Sequence, residues 1–283
     1  MGEDSNAENN RFVDVKKVFY RKNPSLARLL PNFIFNYIKR IVHEKEINHF
    51  MARTHVYHGL EFIEEVLKEF NVKIQVSGFE KIPDKGRFIF VANHPMGGID
   101  GLAFAKVVGE KFQNIKFIVN DILMNVENFK PIFVPVNKHG KQSTDYVRQI
   151  EALYQSDAQI LNFPAGLCSR KNPGGRILDR KWYKSFVSKA RKHQREVVPV
   201  YIFGRNSNFF YNLANIREKL GVKANLEMFF LPDEMFKQKN VKIHLKFGEI
   251  IPHTAFDKTK TPDEWAFEVK KKVYELGQEP ISD

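Results

Sequence analysis

His94 and Asp100, six residues apart, are the pair of side chains in this sequence best suited to proton transfer. A carboxylate close to an imidazole can orient one ring nitrogen and leave the other to take a proton from a hydroxyl or an amine. This pair is a base with its orienting acid, and it requires no nucleophile from the protein. The alternative is structural, with Asp100 capping a helix and His94 standing as a polar loop residue.

The residues around His94 indicate where it lies in a fold. An apolar run ends at Asn93 and a helix is predicted to begin near Asp100, so the proline and two glycines between them form a tight, non-helical turn. In α/β proteins, chemistry is usually found where a strand ends and leads into a helix. The sequence therefore predicts a site at the end of this strand.

Another predicted strand ends near Phe163 and leads into a Pro/Gly turn followed by Arg170, Lys171 and Arg176. These basic side chains could bind phosphate or carboxylate, and Gly166 would allow the backbone to approach a ligand closely. An ordinary basic loop is the alternative.

Two further strand ends give weaker signals. Lys138 follows the predicted strand 132–136, which places it at the carboxyl edge of a sheet. Pro199 lies within the apolar run 197–201, and proline in a strand is typical of an edge or a bulge.

The elements that must position these residues alternate along the chain. Strands are predicted at 73–76, 88–92, 116–119, 132–136, 159–163, 197–203, 226–231 and 241–247, and helices at 101–111, 144–154, 182–192, 212–220 and 262–276. This alternation predicts an α/β fold. We expect residues 1–70 to form a disordered start (residues 1–10) and a helical, membrane-surface section. Residues 71–283 are then a single catalytic domain with a mixed sheet covered by helices.

Charge constrains the partners. The net charge of +12 favours phosphate-rich or anionic surfaces, and it is concentrated at 11–45 and 168–195. The single cysteine, Cys168, excludes an intramolecular disulfide and indicates a reducing compartment. The acidic N-terminus does not resemble a signal peptide.

A membrane-surface location is also expected. No apolar run approaches the roughly 20 residues needed to span a bilayer. Phe33, Tyr37 and Ile41 share one face of a predicted helix bordered by Lys39 and Arg40, a pattern that fits an interfacial helix or one that simply docks on the core.

Taken in order, four segments resemble the glycerolipid (lysophospholipid) acyltransferase family. They are Asn93-His94 with Asp100, Val136-Asn137-Lys138, Phe163-Pro164-Ala165-Gly166 with Ser169-Arg170, and Val198-Pro199-Val200. The resemblance covers about residues 73–253. Its first and third motifs are fairly specific, and its second and fourth are weak.

The departures from the family pattern are informative. Five residues separate His94 from Asp100 where four are commonest, which is similar to a bacterial branch labelled as hemolysins. That branch includes acyltransferases that make aminoacyl lipids such as ornithine or glycine lipids. Ala165 replaces the family's glutamate and Lys138 its arginine, which weakens the implied recognition of a glycerol phosphate. The resemblance therefore leaves two acceptors open, lysophosphatidic acid and a lyso-aminoacyl lipid whose anionic group is a carboxylate.

The resemblance implies direct acyl transfer to a lyso-lipid hydroxyl from acyl carrier protein or acyl-coenzyme A. His94 would be the general base, and Asp100 would orient it. Backbone amides near the Gly97-Gly98 or Gly166 turns would stabilise the oxyanion, each donor contributing about 3 kcal/mol. The residues expected to bind the acceptor are Asn93, Gly97, Gly98, Lys138, Phe163, Pro164, Gly166, Ser169, Arg170 and Lys171. No metal, other cofactor or nucleic acid is expected. The implied location is cytoplasmic, on the anionic inner face of the cell membrane.

Other interpretations stay open at this point. A lipid hydrolase or thioesterase could use Ser169 or Cys168 as a nucleophile, although the Gly-x-Ser-x-Gly elbow is missing. The charge alone would allow nucleic-acid binding, but no recognisable signature accompanies it. Glu46 and His49 have metal-ligand spacing in a single copy. A catalytically inactive membrane adaptor is the fourth alternative.

Overall fold

A computed structural model of the chain describes residues 12–22, 24–136 and 144–278. The disorder predicted for residues 1–10 and the roles predicted for Asn137 and Lys138 lie outside the described residues. The chain groups into two compact units, one made of residues up to Tyr57 with Asn208–Lys237, the other of His58–Ser207 with the residues from Gln238 onwards. The domain boundary expected at residue 70 stays a prediction.

The secondary structure is as follows. Helices α1 to α11 span, in chain order, Val15–Lys22, Pro24–Leu29, Asn32–Ile41, Glu44–Thr54, Gly59–Glu69, Ile99–Phe112, Thr144–Gln155, Ser185–His193, Asn208–Lys219, Leu231–Lys237 and Pro262–Leu276. Strands β1 to β9 span Lys73–Ser77, Phe88–Ala92, Ile115–Asn120, Phe133–Val136, Gln159–Asn162, Arg170–Lys171, Ile177–Leu178, Glu196–Ile202 and Lys242–Phe247.

Seven strands form one mixed sheet in the order β1-β9-β8-β2-β5-β3-β4. Strands β8, β2, β5, β3 and β4 are parallel, whereas β9 pairs with β8 in the antiparallel direction. Every residue of β2 is buried, as expected for an apolar strand covered on both faces. The expected fold class, a mixed sheet covered by helices after a helical N-terminal section, is confirmed. Strand β2 lies between β5 and β8, so their carboxyl ends meet at one edge.

The strand predicted at 226–231 is wrong. Residues Leu226–Phe230 form a 3-10 helix that leads into α10. The carboxylate of Glu227 is fully buried and accepts hydrogen bonds from the Arg217 guanidinium at 2.8 and 3.1 Å, while Phe229 is 64% exposed. A short apolar run is compatible with either a strand or a helical turn. Here the buried ion pair of Arg217 and Glu227 stabilises the helical turn. The short hairpin of β6 and β7 was not predicted.

Pro199 lies within β8, and β8 is an internal strand. Val200 pairs with Phe247 in the antiparallel direction, and the next pair along is the isolated bridge between Val197 and Ile251. Between these two pairs β8 advances by three residues, whereas the facing chain advances by four. One extra residue is therefore bulged out of the chain after β9. The bulge explains how a proline without an N–H is accommodated here, as its position in the sequence indicated.

Arg195 is fully buried and ties helix α7 to the sheet. Its guanidinium donates to the backbone carbonyls of Tyr154 and Ala158, both at 2.8 Å, and also to that of Ser156. Burial lowers the pKa of Arg195 to about 10, and the side chain stays charged at neutral pH. The carbonyls at the end of α7 thus find their donors in one side chain.

The first unit has its own small core, in which Phe35 of α3 packs with Val15 and Ala27. Helix α3 also presents Phe33, which is 71% exposed, and Tyr37, which is 49% exposed. One face of the helix therefore docks on the core and another faces outward. Within the described residues, no helix combines the length and apolar character needed to cross a bilayer.

We predict that Arg195→Met lowers the free energy of unfolding by about 3 kcal/mol or more, because several buried carbonyls lose their donor together. Urea unfolding monitored by circular dichroism measures the change. Arg191→Met is the matched control, since Arg191 is exposed on α8, and its effect should stay within about 0.5 kcal/mol. Equal losses in the two variants would contradict the role given to Arg195.

Candidate active site

His94 and Asp100 are in direct contact. His94 Nδ1 lies 2.9 Å from Asp100 Oδ2. The Asp100 side chain is fully buried, whereas 16% of the His94 side chain is exposed. An ionised carboxylate only accepts, so Nδ1 carries the proton that faces Asp100, and in the neutral ring Nε2 then has the lone pair. The contact expected from the six-residue spacing is therefore present, and the role of His94 as a base stays a prediction.

The turn between β2 and α6 is folded around the carboxylate of Asp100. Its two oxygens accept hydrogen bonds from the backbone N–H groups of Met96, Gly97, Gly98 and Gly101, at 2.9, 3.4, 2.9 and 3.0 Å. Burial by itself raises the pKa of Asp100, but the neighbouring His94 and these amides outweigh it and hold the pKa below the ordinary value. Asp100 is therefore ionised when it orients His94.

The amides expected to stabilise an oxyanion are engaged in the turns. Gly97 and Gly98 donate to Asp100, and the N–H of Gly166 donates to the carbonyl of Phe163 at 2.9 Å. Both Gly97 and Gly166 have positive φ, 84° and 64°, which suits glycine in such tight turns. These three amides are therefore already paired, and oxyanion stabilisation by backbone amides near the two turns stays a prediction.

Phe163 packs face to face with the imidazole of His94. The ring centroids are 3.9 Å apart and the planes differ by 16°. Phe163 follows β5, the strand next to β2, so the sheet itself brings the two rings together. The sequence placed Phe163 at the site as a contact to the acceptor, and the structure shows it as a wall of the imidazole. Contact with an acceptor stays a prediction.

Asn93 joins the end of β2 to β8. Its side-chain amide donates to the carbonyl of Ile202 at 2.9 Å, and its oxygen accepts from the N–H of Ile202 at 2.7 Å. The side chain thus replaces one more pair of sheet hydrogen bonds and fixes the residue before His94. Its predicted contact with the acceptor is not tested by this arrangement.

A second buried carboxylate, Asp179, holds the backbone of the base. Asp179 Oδ1 accepts from the N–H of His94 at 3.2 Å and from the Ser169 hydroxyl at 2.6 Å, while Oδ2 accepts from the Trp182 indole at 2.9 Å. The N–H of Ser169 donates to the carbonyl of His94 at 2.7 Å. Sequence reasoning missed Asp179, and the only signal was an isolated acid within a basic stretch.

The remaining predicted residues lie in the turn and hairpin after β5. The Arg170 guanidinium donates to the carbonyl of Cys168 at 2.7 Å and to its thiol at 3.0 Å, and Arg170 is buried. The carbonyl of Pro164 accepts from Tyr183. Lys171 is half-buried in β6. Their roles in acceptor binding stay predictions.

The matching family model and two curated relatives indicate one family. A family model described as acyltransferase matches residues 17–279. A Bacteroides thetaiotaomicron protein named lyso-glycine lipid O-acyltransferase is 44% identical, with 93% of this chain and 97% of the relative covered. A Phocaeicola vulgatus protein of the same name is 43% identical, with 93% and 95% covered. The crystal structure of the 1-acyl-sn-glycerophosphate (LPA) acyltransferase PlsC from Thermotoga maritima matches with a TM-score of 0.46 and 20% identity, covering 88% of this chain and 95% of that chain.

We predict that Asp100→Asn lowers the free energy of unfolding at neutral pH by about 2 kcal/mol or more, because an amide cannot replace a carboxylate among these donors. The folded-state pKa of Asp100 lies below its ordinary value, so the ionised group contributes stability above about pH 4. That contribution is lost as the pH falls through the folded-state pKa.

Urea unfolding of both proteins from pH 7 down to pH 3 measures this effect. The difference between wild type and Asp100→Asn should shrink at the acid end. Asp84→Asn is the matched control, because the Asp84 side chain is 90% exposed, and it should change stability little at any pH. A difference that stays constant over this range would contradict the proposed ionisation.

Proposed function

The chain belongs to the acyltransferase family, and we propose that it transfers a fatty acyl group from a thioester to the hydroxyl of a lyso-lipid, first of all a lyso-glycine lipid. The family and its aminoacyl-lipid branch, to which the motifs pointed, are confirmed by the matches over nearly the whole length. The proposed acceptor is supported by the two curated relatives, both named for a glycine lipid. The proposed donor is acyl carrier protein or acyl-coenzyme A.

The observation that carries the mechanism is the contact of His94 Nδ1 with the buried, ionised Asp100. We propose that Nε2 of His94 takes the proton from the acceptor hydroxyl as its oxygen attacks the thioester carbonyl. The carbon–sulfur bond then breaks, and the leaving thiolate recovers the proton from His94. Asp100 stabilises the imidazolium formed between these steps.

The hydrolase alternative is disfavoured by the surroundings of its two candidate nucleophiles. Burial raises the pKa of the Cys168 thiol to about 11, so it is not a thiolate at neutral pH. The Ser169 hydroxyl oxygen lies 2.6 Å from Asp179 Oδ1 and 3.2 Å from the backbone carbonyl oxygen of His94, so its single proton is engaged by these two acceptors. Neither hydrogen bond leads to the imidazole that would have to activate the serine.

We further propose that the first unit binds an anionic membrane surface at the inner face of the cell membrane. Its described residues expose several large apolar side chains, among them Leu29 (79%), Phe33 (71%), Leu220 (74%) and Phe229 (64%). Basic side chains accompany them, as where the Arg40 guanidinium lies over the Tyr37 ring at 5.4 Å. Apolar insertion and attraction to anionic lipid add together at such a surface.

We predict that His94→Ala lowers acyl transfer by about 100-fold or more, because the acceptor hydroxyl loses its base. The assay follows the mass of the product from a labelled thioester and lyso-glycine lipid. His55→Ala, at an exposed position on the first unit, is the matched control and should keep full activity. Turnover by His94→Ala equal to that of wild type would exclude the proposed base.

The same assay separates direct transfer from a hydrolase mechanism. Cys168→Ala should retain transfer, and mass spectrometry of the protein quenched during turnover should show no acyl group on Ser169 or Cys168. A covalent acyl-enzyme at either residue would contradict direct transfer.

We predict that the double variant Phe33→Ser/Phe229→Ser weakens binding to vesicles that contain anionic lipid by about tenfold or more, because two aromatic side chains no longer insert. Co-sedimentation with the vesicles measures this loss. Phe267→Ser is the matched control, since Phe267 is 65% exposed on α11 in the other unit. An equal effect of Phe267→Ser would contradict a membrane surface confined to the first unit.

A further inference from the structure

A cavity of about 310 Å³ opens beside the turn that holds His94. Its wall includes Asn93 and Pro95, the two chain neighbours of His94, and also Ser169. These residues place it at the edge of the sheet where β2 and β8 end. It could hold a polar group several times the size of a water molecule, which occupies about 30 Å³.

Two cationic side chains belong to the lining of this cavity. Arg176 and Arg205 line it, and among the described residues no acidic side chain does. The Arg176 guanidinium has no ion pair with any carboxylate that the structure describes. Arginine carries a permanent charge and a planar set of donors that match the two oxygens of a carboxylate. Two arginines without an acid in the same wall favour an anionic ligand.

A neutral donor completes this lining. Tyr201 belongs to the wall, and burial raises the pKa of its hydroxyl; the nearby Asp179 adds to this shift and Arg176 opposes it. Tyr201 therefore keeps its proton at neutral pH and can donate it to a ligand. The end of α11 packs directly on this ring, since a Cβ at Gly277 would overlap it. The tyrosine is thus held against the cavity.

Arg176 is positioned by the hairpin of β6 and β7. The N–H of Asn172 donates to the carbonyl of Arg176 at 2.9 Å, and the Asn172 side chain accepts from the N–H of Arg176 at 2.9 Å. Gly175, with a φ of 79°, closes the turn. Arg205 comes from a different element, the segment after β8, so the fold brings two cations from distant parts of the chain to one wall.

We propose that this cavity binds the carboxylate of the acceptor through Arg176 and Arg205 and so positions the acceptor hydroxyl at His94. The proposal rests on the proposed function and adds the chemical basis of acceptor choice. A glycine joined to a lipid through its nitrogen keeps a free carboxylate in the same molecule as the hydroxyl. Fixing that carboxylate in the cavity beside the turn of His94 turns proton removal into a reaction between positioned groups.

The test compares the lyso-glycine lipid with its carboxamide, which has the same shape without the charge. Wild type should prefer the carboxylate by about 10- to 100-fold in kcat/KM, the range expected for charge-assisted hydrogen bonds. Arg176→Gln/Arg205→Gln should lose that preference, mainly through a higher KM for the acceptor, and should keep the KM for the thioester. Arg191→Gln is the matched control and should behave as wild type.

Both substrates carry negative charge, the thioester donor on its phosphate and the acceptor on its carboxylate. The kinetics show which of the two the cavity binds. If the double variant raises the KM for the thioester and keeps the preference for the carboxylate, the cavity binds the donor and the proposal is wrong. Unchanged kinetics in the double variant overturn it as well. Thermal unfolding of the purified double variant should match that of wild type, so that a folding defect is recognised.

A binding measurement separates this proposal from the proposed function. Isothermal titration with N-octanoylglycine and its carboxamide should show a carboxylate preference that is lost in Arg176→Gln/Arg205→Gln. If this preference is found but wild type acylates no lyso-glycine lipid, the subsite stands and the proposed function fails. If wild type acylates the lipid but neither binding nor turnover depends on the two arginines, the subsite fails and the proposed function stands.

Discussion

A charged carboxylate in a site without solvent is the constraint on which this structure depends. Asp100 is fully buried, and an isolated ion there would cost far more than a single hydrogen bond returns. The turn after β2 resolves this by directing four backbone N–H groups at the two oxygens, with His94 Nδ1 as a fifth partner. The positive φ of Gly97 belongs to the same requirement. The need to stabilise the buried charge of Asp100 therefore determines both the shape of the turn and the orientation of His94.

A second buried carboxylate, Asp179, fixes the part of His94 that Asp100 does not contact. Asp100 binds the side chain of His94, while Asp179 binds its backbone N–H and links it to Ser169. The pKa values of the two acids shift in opposite directions. Burial is the larger effect at Asp179 and raises its pKa, whereas the imidazole and the amides outweigh burial at Asp100 and lower its pKa. Lys270 donates to the backbone carbonyl of Asp179 at 2.6 Å, which extends the network to α11. The base is held from two sides by residues far apart in the sequence.

The sequence predicted what is local and could not predict what is brought together by folding. The spacing of His94 and Asp100 and the apolar strands next to them are local patterns, and the fold reproduces them. The partners of Asn93 and the role of Asp179 depend on contacts 85 or more residues away along the chain, which no spacing records. The failed strand at 226–231 has the same origin, since a buried pair of Arg217 and Glu227 outweighs the β-type composition. Sequence motifs therefore identify His94, whereas the partners that hold its backbone are known only from the folded structure.

The basic stretch 168–195 shows why net charge is a poor measure of ligand binding. Its composition suggests one positive surface, but its cationic side chains have different roles. Arg195 is fully buried and serves the carbonyls at the end of α7, and Arg170 is buried against the carbonyl of Cys168. Arg176, in the same stretch, lines the cavity beside the turn of His94, and so does Arg205, which lies outside this stretch. A cation buried against carbonyls is committed to the fold, so the affinity of this site for an anion depends on the arginines that line the cavity.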